Sequence, residues 1–262
     1  MTILRTLIVS TWLSAIAAMG AAQNLTIAAA SDLQAVLPQV VSRFEKQTGR
    51  SVRVTFGSSG NFFTQIQNGA PFDLFLSADI DYPKRLEAAS LAEPGTLYEY
   101  ATGKIVLWAP KGGTVDLQRG LRALLDSRVR HVAIANPAHA PYGRAAVAAL
   151  RAAGIYENVR AKFVLGENIS QAAQFVQSGN AEAGILALSL ALSPAMTEAG
   201  TYVVVPPDSY PPIQQAAVVI KGSPNKDAAR DFLRFLKQPD TVALMRRFGF
   251  EVPRPPLPPV RR

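Results

Sequence analysis

Apolar positions along the chain fall in short runs rich in β-branched residues, and most runs are followed by a segment whose apolar residues recur every three or four positions. The runs are "NLTIAA" at 24–29, "SVRVTF" at 51–56, "DLFLSA" at 73–78, "KIVLWAP" at 104–110, "HVAIAN" at 131–136, "KFVL" at 162–165 and "AGILAL" at 183–188. Between them, 33–48, 61–69, 80–89, 117–126, 142–153 and 168–178 read as helices. Ile169, Ala172, Phe175 and Val176 share one helical face, as do Ala229, Phe232, Leu233 and Leu236. Such alternation predicts parallel sheets covered by helices, an α/β protein. Pro38 interrupts the first helical pattern, since proline removes a donor and crowds the preceding turn.

Two places break the rhythm. "YEYATGKIVLWAP" and "TYVVVPPDSYPPIQQAAVVIKG" each place two strand-like runs side by side with no helix between. Two such pairs flanking one block predict two crossings between lobes, with 104–205 inserted and 23–103 plus 206–262 forming the other lobe. The extended end, "EVPRPPLPPVRR", reads as a surface-lying or frayed tail.

The first residues change the picture of where the chain works. "MTILRTLIVSTWLSAIAAMGAA" has one Arg, an uncharged apolar stretch and small residues at its end, so 1–22 reads as a cleaved secretory signal and Gln23 as the mature start. Its apolar run is shorter than the ~20 residues that span a bilayer. With no cysteine, thiol chemistry, disulfides and Cys-based metal sites are excluded. The net charge of +8 is scattered, with no run of Lys or Arg longer than two, which together with export argues against nucleic acid.

Small polar residues gather where strands turn into helices. Ala29-Ala30-Ser31-Asp32-Leu33 follows the first strand, Gly57-Ser58-Ser59-Gly60-Asn61 the second, Pro141-Tyr142-Gly143 opens a third helix and Asn168-Ile169-Ser170 a fourth. A helix start carries unpaired N–H groups and about half a positive charge, so it attracts anions. Any one of these junctions is explained by ordinary capping. Four of them, two in each expected lobe, can converge on one small oxyanion at the strand ends.

With these stretches in view, the chain resembles the periplasmic molybdate-binding proteins, the ModA family, over nearly all of its mature length. The resemblance is carried by "IAAASDL", "TFGSSGNFFTQIQNGAPFDLFLSAD", "IANPAHAPYGRAA", "LGENISQAAQFVQSGNAEAGI" and "MRRFGFEVP", of which "QNGAPFDLFLSAD" is the most specific. It implies a two-lobed, type II periplasmic binding protein fold, each lobe a mostly parallel sheet flanked by helices, with two crossing segments as hinge. It further implies a periplasmic monomer that holds molybdate or tungstate by hydroxyl and N–H donors and delivers it to a membrane-embedded ABC permease. No cofactor is implied, and the metal is reached only through the oxyanion's oxygens. By position, the ligand contacts fall on Asp32 with Ser31, on Ser59 with Ser58, on the N–H of Tyr142, and on the N–H of Ile169 beside Asn168. Two departures subtract donors: the family often has Ser, Thr or Asn at position 32, and a Tyr where Ala187 stands.

Asp32 is the sharper departure. An ionised carboxylate ~5 Å from a dianion, at an effective dielectric of ~20, repels it by roughly 7 kcal/mol. The carboxylate could turn away and cap its own helix, accept a proton, or hold a cation; the following Leu33, which starts the helical pattern, favours the cap.

Enzyme chemistry finds no support. His131 and His139 are the only candidate bases, "GSSGN" lacks the G-x-S-x-G spacing, and the two histidines have no third zinc ligand. His131, opening an apolar strand, reads as structural, and His139 as a residue of the surface or cleft rim. Asp73 and Asp79 lie ~20 Å apart along a strand, too far for a carboxylate pair. Trp12 lies in the signal and Trp108 in a core strand, so no aromatic cage for an organic ligand is visible; Phe62 and Phe63 read as core more than cleft wall. The rival reading is a binding protein for another ligand, sulfate, phosphate or a ferric complex.

Overall fold

The computed structural model describes residues 24–253; the expected signal at 1–22 and the tail from 254 to 262 lie outside the described residues. Ten strands form two sheets. The first contains β1 (Leu25–Ala30), β2 (Val52–Gly57), β3 (Leu74–Ser77), β4 (Tyr98–Gly103) and β10 (Ile213–Val219), in the order β2-β1-β3-β10-β4. The second contains β5 (Ile105–Pro110), β6 (Val132–Ala135), β7 (Phe163–Gly166), β8 (Ala183–Ala187) and β9 (Gly200–Val204), in the order β7-β6-β8-β5-β9.

The two sheets share one plan. In each, four strands run the same way and the fourth in spatial order, β10 or β5, runs against them. Both reversed strands come directly after a crossing: β4 ends at Gly103 in one sheet and β5 starts at Ile105 in the other, and β9 and β10 are joined in the opposite sense. The carboxyl ends of β1, β2 and β3 therefore face those of β6, β7 and β8 across a cleft, the place where open α/β sheets bind ligands.

The helices are α1 (Leu37–Thr48), α2 (Ser59–Gln67), α3 (Asp81–Ala88), α4 (Pro141–Ala152), α5 (Tyr156–Val159), α6 (Ile169–Gln177), α7 (Leu188–Ala191), α8 (Pro194–Ala199), α9 (Lys226–Leu236) and α10 (Pro239–Arg247). The expected helix at 33–48 is broken in two: Ser31–Ala35 winds as a 3-10 turn, and α1 starts at Leu37 with Pro38 in its first turn. There proline's missing N–H has no intrahelical partner to lose. The expected helix at 117–126 is likewise 3-10 over Leu117–Leu125, kinked at Gly120 with φ 55°.

Period-two alternation covers both faces of the first sheet. Leu25, Ile27 and Ala29 of β1, Leu74 and Leu76 of β3, and Ala217 and Val219 of β10 pack under α1, α9 and α10, while Ala28, Phe75 and Val218 pack on the other face with Phe62, Phe63 and Leu86. Phe44 of α1 meets Phe232 and Phe235 of α9 edge-on at 5.0 and 5.5 Å. Phe62 and Phe63 are thus core residues. In the second sheet, the fully buried Trp108 donates its indole N–H to the Met196 carbonyl and packs so close to Gly200 that a Cβ there would lie 1.9 Å from the ring.

Candidate functional site

The four helix starts converge on one small cavity of about 10 Å³. Ala30, Ser31 and Asp32 reach it from the end of β1, Gly57, Ser58 and Ser59 from β2 and α2, Ala78 from the end of β3, Ala140, Pro141 and Tyr142 from α4, and Ile169 from α6. Among the described residues no Lys or Arg lines it. The space admits about one water-sized body, so a four-oxygen anion enters only as the lobes part. A larger groove of about 620 Å³ opens at the opposite end of β1 and β3, but its carboxylate, Asp73, is already engaged by Thr26, Ser223 and Asn225.

Several wall residues offer donors. Tyr142 and Ile169 lie in the first turns of α4 and α6, where N–H groups have no intrahelical partner. Ser59 Oγ accepts the Ala78 N–H at 2.9 Å, leaving its own proton to be donated. Ser31 Oγ accepts the Ser170 N–H at 3.4 Å from across the cleft, with the same consequence. Ser58 caps α2 through the Asn61 N–H and lies 2.9 Å from His139 Nδ1. Asn168 stands off the wall: its Oδ1 caps α6 by accepting the N–H groups of Ser170 and Gln171 at 3.0 and 3.1 Å.

The lobes are drawn together by polar contacts around this cavity. Gly60 N–H donates to the His139 carbonyl at 3.0 Å, and a Cβ on Gly60 would lie 2.6 Å from that oxygen. Asn61 donates to Glu167, and Arg144 pairs with Asp79 while also reaching the Tyr82 hydroxyl. His139 therefore sits on the cleft rim, one fifth exposed, whereas His131 is half exposed beside Glu182 and closes no core.

Asp32 does not cap its helix, which corrects the expectation drawn from its position. The 3-10 turn has no side-chain cap, and the carboxylate is fully buried instead. Its Oδ2 accepts the Gln215 amide at 2.7 Å and the Tyr142 hydroxyl at 2.9 Å, and its backbone carbonyl accepts the Ser189 hydroxyl at 2.7 Å. Oδ1 has no partner among the described residues. The partners come from β10, α4 and α7, and together they outbid a local cap. Burial pushes the carboxyl up to about 6, opposed by the bonds from Gln215 and Tyr142. Burial, with the Asp32 charge second, pushes the Tyr142 and Tyr100 hydroxyls well above their usual range.

The family profile described as bacterial extracellular solute-binding protein matches residues 25–251. The chain belongs to that family. This solute-binding protein is 39% identical over 244 residues to the molybdate-binding protein ModA of Azotobacter vinelandii, covering 93% of this chain and 96% of that one. It is 40% identical over 230 residues to ModA of Rhodobacter capsulatus, covering 88% and 89%. It also matches the solved structure of the Azotobacter vinelandii periplasmic molybdate-binding protein with a TM-score of 0.83 at 36% identity, over 88% of this chain and 100% of that one. Those similarities place the solute-binding protein with the ModA proteins and its fold with the two-lobed type II binding proteins. It is a carrier and not an enzyme.

Sequence reasoning missed the groups behind the solute-binding protein's wall. Gln215 stands fully buried in the apolar run of β10, and Tyr100 Oη donates to its Oε1 at 2.8 Å. Two adjacent glutamines in a strand, Gln214 exposed and Gln215 on the buried face, were the available signal. Tyr142 was expected to contribute its N–H; its hydroxyl turns out to join the lobes through Asp32.

Proposed function

We propose that the protein captures a tetrahedral oxyanion, molybdate first and tungstate with it, between its lobes and hands it to a membrane-embedded ABC permease. The observation that carries this reading is a cavity walled by helix-start N–H groups and serine hydroxyls, with no Lys or Arg on it among the described residues. The names of the relatives point to the same ligand. Ser31, Asp32, Ser58, Ser59, Tyr142 and Ile169 are the proposed contacts, with Asn168 holding the start of α6. Micromolar to nanomolar capture needs ~8–12 kcal/mol, within reach of several charge-assisted hydrogen bonds of ~1.5–3 kcal/mol each after closure.

The protein acts as an exported monomer, released by cleavage after residue 22. Its lobes divide as 23–103 plus 206–262 and 104–205; the strands of the two sheets segregate in keeping with this division. Sulfate or phosphate would meet the same donors at shorter bond lengths, and a ferric complex would lack an anionic ligand set: among the described residues no group of three His, Cys, Asp or Glu is placed to hold a metal ion. The test is thermal unfolding of the mature protein with each anion in excess. Molybdate and tungstate should raise the melting temperature strongly and sulfate and phosphate weakly; no rise with either of the first two would refute the reading.

A further inference from the structure

The two oxygens of Asp32 are unequal, and the inequality has a chemical meaning. Oδ2 takes two donors, the Gln215 amide and the Tyr142 hydroxyl. The Tyr100 hydroxyl donates to Gln215 Oε1, which fixes the amide so that its N–H₂ faces Asp32. With donors already aimed at Oδ2, a proton on this carboxyl belongs on Oδ1, the buried oxygen without a partner among the described residues. Asp32 lines the cavity, and a proton on Oδ1 needs an acceptor that no described residue supplies. An ionised Asp32 would instead confront an incoming anion with no cation on the wall, among the described residues, to offset it.

We propose that Asp32 enters the closed site as a neutral acid, donating its Oδ1 proton to an oxygen of the bound oxyanion, so that one proton is taken up with each anion. This rests on the oxyanion reading above and makes capture proton-coupled. When the lobes part, Asp32 loses Tyr142 and Ser189, which belong to the other sheet's helices, gains water, and returns to the ordinary carboxylate range. Burial in the closed form pushes the carboxyl up to about 6, and a neighbouring anion pushes in the same direction.

The groups that face Asp32 are Tyr142 from α4, Tyr100 from β4, Gln215 from β10 and Ser189 from α7. Both tyrosines are held neutral by burial. Beyond Ser58 stand His139 and Glu167, and Asp79 with Arg144 at the rim. His139, whose Nδ1 lies 2.9 Å from the Ser58 hydroxyl, is the control residue.

The experiment is calorimetric titration with molybdate in buffers of different ionisation enthalpy, from about pH 6.5 to 8, on the wild type, Asp32→Asn and His139→Gln. The wild type and His139→Gln should take up about one proton per anion, and their affinity should fall about tenfold per pH unit. Asp32→Asn should bind with no proton uptake and little pH dependence, because its amide oxygen replaces Oδ2 and its N–H₂ replaces the acid's donor. A zero count in the wild type, or a count that survives in Asp32→Asn and vanishes in His139→Gln, would overturn the proposal. Should Asp32→Asn fail to bind, the counts of the other two proteins decide. Failure of the wild type to bind molybdate at every pH would instead defeat the oxyanion reading itself.

Discussion

Replacing Tyr142 with Phe removes one hydroxyl that joins the lobes and little else. The ring is 2% exposed and keeps its packing, while Oη gives up its bond to Asp32 Oδ2 at 2.9 Å and the Gln215 amide's bond at 3.0 Å. With Asp32 neutral, the lost bond is a neutral pair worth ~0.5–1.5 kcal/mol, a two- to tenfold loss of affinity. With Asp32 ionised, the loss would be ~1.5–3 kcal/mol, a ten- to hundredfold loss. The Tyr142 bond is one of those holding the carboxyl down, so its removal lifts the carboxyl further above about 6 and keeps the acid neutral. Asp32 and Tyr142 follow strands of different sheets, so their bond exists only when the lobes are closed. Molybdate calorimetry near pH 7 should therefore show affinity weakened about two- to tenfold, while the unliganded variant melts close to the wild type. An unchanged affinity, or an unliganded protein destabilised as much as the loaded one, would refute the reasoning.

Two further substitutions separate ligand contact from closure. Ser59→Ala removes a proposed donor to the anion, so affinity should drop about ten- to a hundredfold. It also strands the Ala78 N–H, so chemical denaturation should show the unliganded protein losing ~1–3 kcal/mol. Gly60→Ala places a Cβ 2.6 Å from the His139 carbonyl in the closed form. Molybdate affinity should fall while unliganded stability holds, because alanine favours the helix that Gly60 occupies; undiminished affinity would mean the lobes do not close on that contact.

Much of this architecture was legible because it is local. The strand runs, the helix faces and the small polar residues at Ser31, Ser58, Ser59 and Asn168 announce themselves within a few residues, as do the two adjacent strand pairs at the crossings. Pro38 was legible as a disturbance but not as the start of α1, since the 3-10 turn at Ser31–Ala35 packs against α6 and α7, which lie far along the chain. Asp32 misled for a related reason. Its local context favours a cap, and the competing partners Tyr142 and Gln215 lie 110 and 183 residues away. Nothing within a window of neighbouring residues carries the preference that wins, and the same holds for the contacts of Gly60 with His139 and of Asn61 with Glu167 across the cleft.

The most direct test of oxyanion capture is a crystal structure of the mature protein grown with molybdate, with the metal located by its anomalous scattering. The account predicts one anomalous peak between the lobes, its oxygens within hydrogen-bond reach of the Ser59 hydroxyl, the Tyr142 and Ile169 N–H groups and Asp32 Oδ1. Molybdenum found elsewhere on the protein, with none between the lobes, would contradict the account.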